Sequence, residues 1–139
     1  YSSAASDVYK RQVLENMASS ATDLNGTEMR KVLGSFLFTG DDVHKPAGVL
    51  SGGEKTRLAL ATLVLSSANV LLLDEPTNNL DPASRAQVLD AIGNFGGAIV
   101  LVTHDEGAVH ALDPDRVLVL PDGTEDMWSA DYAELISLA

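Results

Sequence analysis

Hydrophobic positions along the first half of the chain recur with the period of amphipathic helices. Apolar residues stand at i, i+3, i+4, i+7 and i+8 in the segment that begins at Met29, which predicts a helix with one buried face. Asn25 precedes this segment as a helix N-cap, and Glu28 stands at the reciprocal position of a capping box. A shorter helix is predicted over residues 13–19.

A second helix is predicted after Ser51, which is the N-cap, with Glu54 at the reciprocal capping position. Its apolar residues extend nearly all round the helix between residues 58 and 65, so we expect it to be well buried. The segment between the two helices, residues 39–49, contains two glycines and a proline and is predicted to be a loop.

The second half of the chain alternates strands with helices. Continuous apolar runs at residues 70–73 and 98–102 predict strands that are covered on both faces. Helices are predicted from Asp81-Pro82, over residues 105–112 and from Ser129 through Leu138. A third strand is predicted over residues 117–120 and a fourth over residues 125–128. This order predicts an α/β fold, with a largely parallel sheet and flanking helices.

Composition and charge exclude several classes of protein. The 139 residues correspond to about one small domain, and nine basic against twenty acidic residues give a net charge of −11. This charge opposes direct binding to a nucleic-acid backbone. The absence of cysteine excludes disulfides and thiolate metal sites. Since no apolar run approaches the roughly 18 residues of a membrane span, we expect a cytoplasmic protein.

The first candidate for chemistry is the segment Ser51-Gly52-Gly53-Glu54. Two glycines at a helix N-terminus allow the backbone to approach an anion, and the free N–H groups there favour negative charge. The Ser51 hydroxyl is also able to donate to a phosphate oxygen. The alternative is a capping box that follows a flexible turn.

The other candidates follow the two buried strands. Asp74 ends the first strand and is placed to hold Mg²⁺, while Glu75 is able to orient and deprotonate an attacking water. His104 ends the second strand and is able to stabilise charge on a transferred phosphate. Alone, the two carboxylates are also consistent with a solvated acidic loop after a strand, and a lone histidine is more often a surface or satisfied residue. Both strands should end on one side of a parallel sheet, where open α/β folds bind ligands.

Taken together, the motifs resemble the nucleotide-binding domain of the ABC ATPase superfamily, a P-loop NTPase fold. The sequences are L-S-G-G-E at residues 50–54, L-L-L-D-E-P-T-N-N-L-D at residues 71–81 and the histidine at the second strand end. The resemblance covers residues 13–139 and implies ATP and Mg²⁺ as cofactors. It implies that Asp74 binds the metal and that Glu75 and His104 are catalytic. It further implies that Leu80-Asp81 is the D-loop, and that nucleotide contacts come from Ser51, Gly52, Gly53, Glu54 and Asp81.

Within the superfamily, the long form of residues 75–81 resembles the ABC-F group, whose soluble twin-domain ATPases act on ribosomes. The segment F-L-F-T-G-D-D at residues 36–42, ahead of K-P-A-G-V-L at residues 45–50, resembles the second ATPase domain of that group. Two positions depart from the group. Asn79 stands where the group commonly has His, and Glu106 stands where it commonly has Arg.

Two expected segments are missing from the 139 residues. No G-x-x-x-x-G-K-[ST] phosphate loop (Walker A) occurs, and the expected glutamine-bearing loop is also absent. We therefore interpret the chain as the C-terminal part of an ABC domain, inactive alone, with an uncovered sheet edge and apolar face. Residues 1–12 are predicted to be a non-native or disordered leader, residues 13–66 a helical subdomain, and residues 67–139 the second half of the α/β core.

The resemblance also implies a partner. In an intact protein, a second ABC ATPase domain would complete a head-to-tail ATP sandwich, and the ribosome is a further possible partner. Alternatives are the ATP-binding subunit of a membrane transporter and a non-catalytic fragment. Chromosome-maintenance ATPases carry similar motifs, but they place long heptad coiled coils before the signature, and residues 13–50 show none.

Overall fold

The computed structural model describes residues 10–21 and 23–138. Its helices are α1 (Val13–Ala18), α2 (Gly26–Ser35), α3 (Gly52–Leu65), α4 (Pro82–Gly93), α5 (Glu106–Leu112) and α6 (Ala130–Ser137). Its strands are β1 (Val70–Asp74), β2 (Ala98–Val102), β3 (Arg116–Val119) and β4 (Thr124–Met127). Two 3-10 helices, Gly40–His44 and Ala47–Val49, lie in the segment predicted to be a loop.

Side chains cap the helices at the positions that the sequence predicts. The Asn25 side chain accepts hydrogen bonds from the N–H groups of Thr27 and Glu28, and the Glu28 carboxylate accepts from the N–H of Asn25. These bonds satisfy backbone donors that have no partner within the first turn of α2. The predicted start of α2 is therefore confirmed.

β1 and β2 form a parallel pair, with α4 between them in the chain. Leu72 lies opposite Val100, and Asp74 lies opposite Val102. Parallel pairing in this register brings the carboxyl ends of both strands to one edge of the sheet. The α/β fold class is confirmed, although the parallel sheet among the described residues has only these two strands.

The prediction that both strands are covered on two faces is wrong. Leu73 is 4% exposed, whereas its neighbour Leu72 is 76% exposed. Val70, Val100 and Val102 are also exposed, on the face of the sheet that Leu72 occupies. A continuous apolar run does not distinguish one covered face from two, because the cover comes from other segments. The expected uncovered apolar face is present in the described structure.

The third predicted strand does not extend the parallel sheet. β3 pairs with β4 in an antiparallel hairpin, with Val119 opposite Thr124. Gly123 adopts a φ of +71° in the connecting turn, where its N–H donates to the Val119 carbonyl at 2.8 Å. A short connection joins antiparallel neighbours, so β3 pairs with the strand that follows it.

The buried core joins the N-terminal helices to α4 and β1. Its largest members are Phe36, Phe38, Met17, Leu33 and Ile92. α3 contributes on one side only, because Leu58, Leu60 and Ala61 are buried whereas Leu63 is 43% exposed. The expectation that this helix is well buried therefore holds for one side of it only.

Two residues of the predicted leader belong to the described fold. The Arg11 carbonyl accepts a hydrogen bond from the N–H of Ala47 at 2.9 Å, and Gln12 forms an antiparallel bridge with Pro46. The other predicted property of the leader, disorder, concerns mainly residues 1–9, which lie outside the described residues. None of the described helices is both long enough and apolar enough to cross a membrane.

The adjacent leucines of β1 provide a matched test of this one-sided burial. We expect Leu73→Ala to lower the free energy of unfolding by about 2–5 kcal/mol, because it leaves a cavity in the core. Leu72→Ala removes an exposed side chain and should cost about 0.5 kcal/mol or less. Urea denaturation of the 139-residue chain measures both. Equal losses for the two variants would show that β1 is covered on both faces.

Candidate active site

Glu75 lies at the carboxyl end of β1 and turns toward β2. Its N–H donates to the Val102 carbonyl at 2.7 Å, a bond that closes the last strand pair, Asp74 with Val102. Its φ of +46° lies in the left-handed region, which costs a non-glycine residue about 1 kcal/mol or more. This conformation directs the carboxylate across the sheet edge to the residues that follow β2.

The Glu75 carboxylate is held by two donors from those residues. The His104 N–H donates to Oε1 at 2.8 Å, and the Thr103 hydroxyl donates to Oε2 at 3.1 Å. The His104 ring also faces this carboxylate, with Nε2 3.5 Å from Oε1. The Glu75 side chain is 20% exposed and the His104 side chain 72%, so the carboxylate is fixed while the imidazole reaches solvent.

Asp105, which follows His104, accepts hydrogen bonds from three other residues. Its Oδ1 accepts from the Gly107 N–H and so caps α5, while its Oδ2 accepts from the Thr77 hydroxyl at 3.4 Å and from Arg85 Nη1 at 3.2 Å. The Asp105 N–H donates to the Thr103 hydroxyl oxygen at 3.0 Å. Thr103 therefore links Asp105 to Glu75 through consecutive hydrogen bonds.

These side chains line an open depression of about 630 Å³ at the strand ends. Glu75, Asn78, Arg85 and the segment 104–106 form its walls. Three acidic side chains line the depression against one arginine. An anionic ligand would therefore need additional positive charge to bind here.

The start of α3 forms a second part of the candidate site. The Ser51 hydroxyl accepts from the Glu54 N–H at 3.2 Å, and the Glu54 carboxylate accepts from the Ser51 N–H at 2.7 Å. The bond from the Ser51 backbone holds the pKa of Glu54 below its usual value, with further lowering from the Ser51 side chain and nearby Lys45. The predicted capping box is confirmed, and the Glu54 carboxylate accepts a hydrogen bond within it.

Gly53 places this helix start against the D-loop. A Cβ added at Gly53 would lie 3.2 Å from the Asn79 carbonyl oxygen and 3.8 Å from Leu80 Cδ2. The close approach of the two backbones therefore favours glycine at this position. Gly52 has open space around it, so its small size is not required by packing within the described residues.

Asp81 caps α4 at the end of the D-loop. Its carboxylate accepts from the Ser84 hydroxyl at 2.6 Å and from the Ser84 N–H at 3.1 Å. These bonds, the side-chain one first, lower the pKa of Asp81 below its usual value. The negative charge is consequently retained at the N-terminus of α4, where it also complements the helix dipole.

Asp74 lies on the exposed face of β1, one residue before Glu75. No group of three or more His, Cys, Asp or Glu side chains within residues 10–21 and 23–138 is arranged to hold a metal ion. Magnesium in phosphate-handling sites is bound through one or two carboxylates, together with substrate phosphates and water. One exposed carboxylate fits an ion that takes its remaining ligands from a nucleotide and water.

The structure brings together some of the residues that the sequence identified. Glu75 lies with His104, and Gly53 lies with the D-loop, whereas Ser51 and Glu54 bond to each other rather than to the Glu75–His104 pair. Sequence reasoning did not assign a role to Thr77, Arg85, Thr103 or Asp105. Thr77 is polar and only 1% exposed, but burial of this kind is not visible in a single sequence.

Comparisons with known proteins agree with the motifs. A family model described as ABC transporter matches residues 3–78 and so begins within the predicted leader. YdiF of Bacillus subtilis, a putative ATP-binding protein, is 43% identical over 122 residues, 88% of this chain and 19% of that protein. ABC transporter F family member 5 of Arabidopsis thaliana is 33% identical over 88% of this chain and 18% of that protein. The chain thus spans about a fifth of the length of these relatives.

A solved structure agrees on the fold. A bacterial Atm1-family ABC exporter with ATP bound has a TM-score of 0.72 and 19% identity, over 94% of this chain and 24% of that chain. The fold is therefore that of an ABC ATPase domain, and the relatives confirm the resemblance to domains of the ABC-F type. On the family match over more than half of its residues, the chain belongs to the ABC transporter family.

Proposed function

We propose that the chain supplies the hydrolytic and signature parts of an ATP-hydrolysing ABC-F-type protein. The observation that carries the proposal is the Glu75 carboxylate, which the Thr103 hydroxyl and the His104 N–H fix at the common edge of two parallel strands. A carboxylate fixed in this way is suited to orient a water molecule for in-line attack on a phosphate.

Each of the neighbouring groups has a distinct task in this proposal. Glu75 orients the attacking water and accepts its proton. His104 presents its exposed imidazole to the transferred phosphoryl group and steadies its charge. Asp74 would hold Mg²⁺, which supplies positive charge to the phosphate oxygens when it is bound. The positive charge of the ion would also offset the negative charge of the acidic side chains that line the depression.

The start of α3 completes a different part of the reaction. In this proposal, Gly52 and Gly53 present backbone N–H groups, and Ser51 presents its hydroxyl, to the γ-phosphate of ATP held by a second ABC ATPase domain. Glu54 and Asp81 fix the two helix starts that face that partner. Hydrolysis would then require the two domains to close on the nucleotide.

The setting of the protein is also part of the proposal. A cytoplasmic location and a role at the ribosome rest on the ABC-F resemblance of residues 36–50 and 75–81. The ATP-binding subunit of a membrane transporter is the second candidate, because it would share the same hydrolytic residues. Co-purification of the protein with ribosomes supports the first, and co-purification with a membrane protein supports the second.

The 139-residue chain alone should not hydrolyse ATP, because it has no G-x-x-x-x-G-K-[ST] sequence to hold the phosphates. Phosphate release by the purified chain, measured with ATP and Mg²⁺, should equal that of the Glu75→Gln variant and of buffer. Turnover by the unsubstituted chain that Glu75→Gln removes would refute this part of the proposal.

Glu75→Gln should abolish hydrolysis in a chimera that joins this chain to a preceding ABC segment with a phosphate loop. Gln keeps the size of the side chain but does not accept the proton of the attacking water, so we expect turnover to fall by about 100-fold or more. ATP binding and domain closure should persist. ATPase assays and nucleotide binding to the chimera measure the two effects.

The matched control is Glu125→Gln, which removes a carboxylate from the hairpin and breaks an ion pair with Arg116. It should leave turnover within about twofold of the unsubstituted chimera. Undiminished turnover in Glu75→Gln would show that Glu75 is not the catalytic base.

A further inference from the structure

Arg85 joins two segments that the proposed reaction uses separately. Nη1 donates to the Asp105 carboxylate at 3.2 Å, and Nη2 donates to the Leu80 carbonyl in the D-loop at 3.4 Å. The planar guanidinium is suited to bridge two acceptors in this way, since its donors point in fixed directions. The side chain is 36% exposed and that of Asp105 is 19% exposed, so the ion pair is partly shielded from water.

The bond to Asp105 continues toward Glu75. The Asp105 N–H holds the Thr103 hydroxyl oxygen, and the Thr103 hydroxyl donates to Glu75 Oε2. A path of four hydrogen bonds therefore runs from the Leu80 carbonyl through Arg85, Asp105 and Thr103 to the Glu75 carboxylate. Thr77, buried beside Asp105, donates its hydroxyl to the Asp105 carboxylate.

The position of Arg85 makes this path sensitive to the D-loop. Arg85 lies in the first turn of α4, which Asp81 caps, and its N–H donates to the Asp81 carbonyl at 2.9 Å. Movement of the D-loop would consequently move both the Leu80 carbonyl and the helix turn that carries Arg85. Arg85 Nε is buried and has no hydrogen-bond partner within the described residues. The hydrogen bonds that orient the guanidinium there are therefore the two from Nη1 and Nη2.

We infer that Arg85 and Asp105 are positioning residues, which transmit the state of the D-loop to the Thr103–His104 donors that hold Glu75. The inference rests on the proposed function, because it assigns these residues to the hydrolysis at Glu75. A purely structural role would require only that the pair ties α4 to the start of α5. The two roles differ in what the loss of Arg85 does to Glu75 and to catalysis.

The first experiment measures amide hydrogen exchange in the 139-residue chain by NMR. Arg85→Gln should speed exchange of the His104 amide about tenfold more than exchange of the Ile92 amide in the core. Arg116→Gln, which breaks the remote ion pair with Glu125, should change neither amide. No preferential change at His104 in Arg85→Gln would overturn the inference.

The second experiment measures ATP hydrolysis in the chimera. Arg85→Gln should lower kcat about tenfold with KM for ATP within about twofold, because the residue acts through Glu75 rather than on nucleotide binding. Arg85→Lys keeps the charge but does not bridge both acceptors, so its kcat should lie between that of Arg85→Gln and that of the unsubstituted chimera. Because Arg85 and Asp105 act through the same hydrogen bond, the losses of kcat in Arg85→Gln and Asp105→Asn should not add in the double variant.

The outcomes separate this inference from the proposed function. If Glu75→Gln stops turnover while Arg85→Gln leaves kcat unchanged, the coupling is wrong and the proposed function stands. If turnover survives Glu75→Gln, the proposed function fails, and the inference in its catalytic form fails with it. Preferential exchange at His104 would then establish only a structural link between the D-loop and this turn.

Discussion

The parallel pairing of β1 with β2 is the constraint on which the candidate site depends. Five residues of each strand pair in register, and the bond from the Glu75 N–H to the Val102 carbonyl closes the last of these pairs. Parallel strands end at the same edge, so Glu75 and the segment 103–105 meet there although about 28 residues of chain separate them. The left-handed backbone at Glu75 then directs its carboxylate across the edge rather than into solvent.

Carboxylates that meet at one edge repel each other unless donors hold them, and the sequence supplies these donors locally. Glu75 takes its donors from the turn after β2, and Asp105 takes them from Thr77, Arg85 and the start of α5. The same arrangement that stabilises the charges also fixes their directions. The stability of the edge and the fixed orientation of the Glu75 carboxylate therefore have one physical origin.

Local features of the fold were predictable from the sequence, whereas features that depend on distant segments were not. The caps at Asn25, Ser51 and Asp81 were predictable because each involves residues within four positions of one another. Burial of one face of β1 was not, since it depends on which other segments cover the sheet. The Arg85–Asp105 pair was also missed, because arginine on a helix surface and aspartate at an N-cap both have ordinary local explanations.

The most direct test of the central claim is a double-mutant cycle between Glu75 and Thr103, read out by urea unfolding of the 139-residue chain. Glu75→Ala, Thr103→Val and the double variant give the coupling free energy between the two side chains. Because a hydroxyl that donates to a partly buried carboxylate should contribute measurably, we expect a favourable coupling of about 1–2 kcal/mol. A coupling indistinguishable from zero would contradict the meeting of these strand ends, and with it the site built on them.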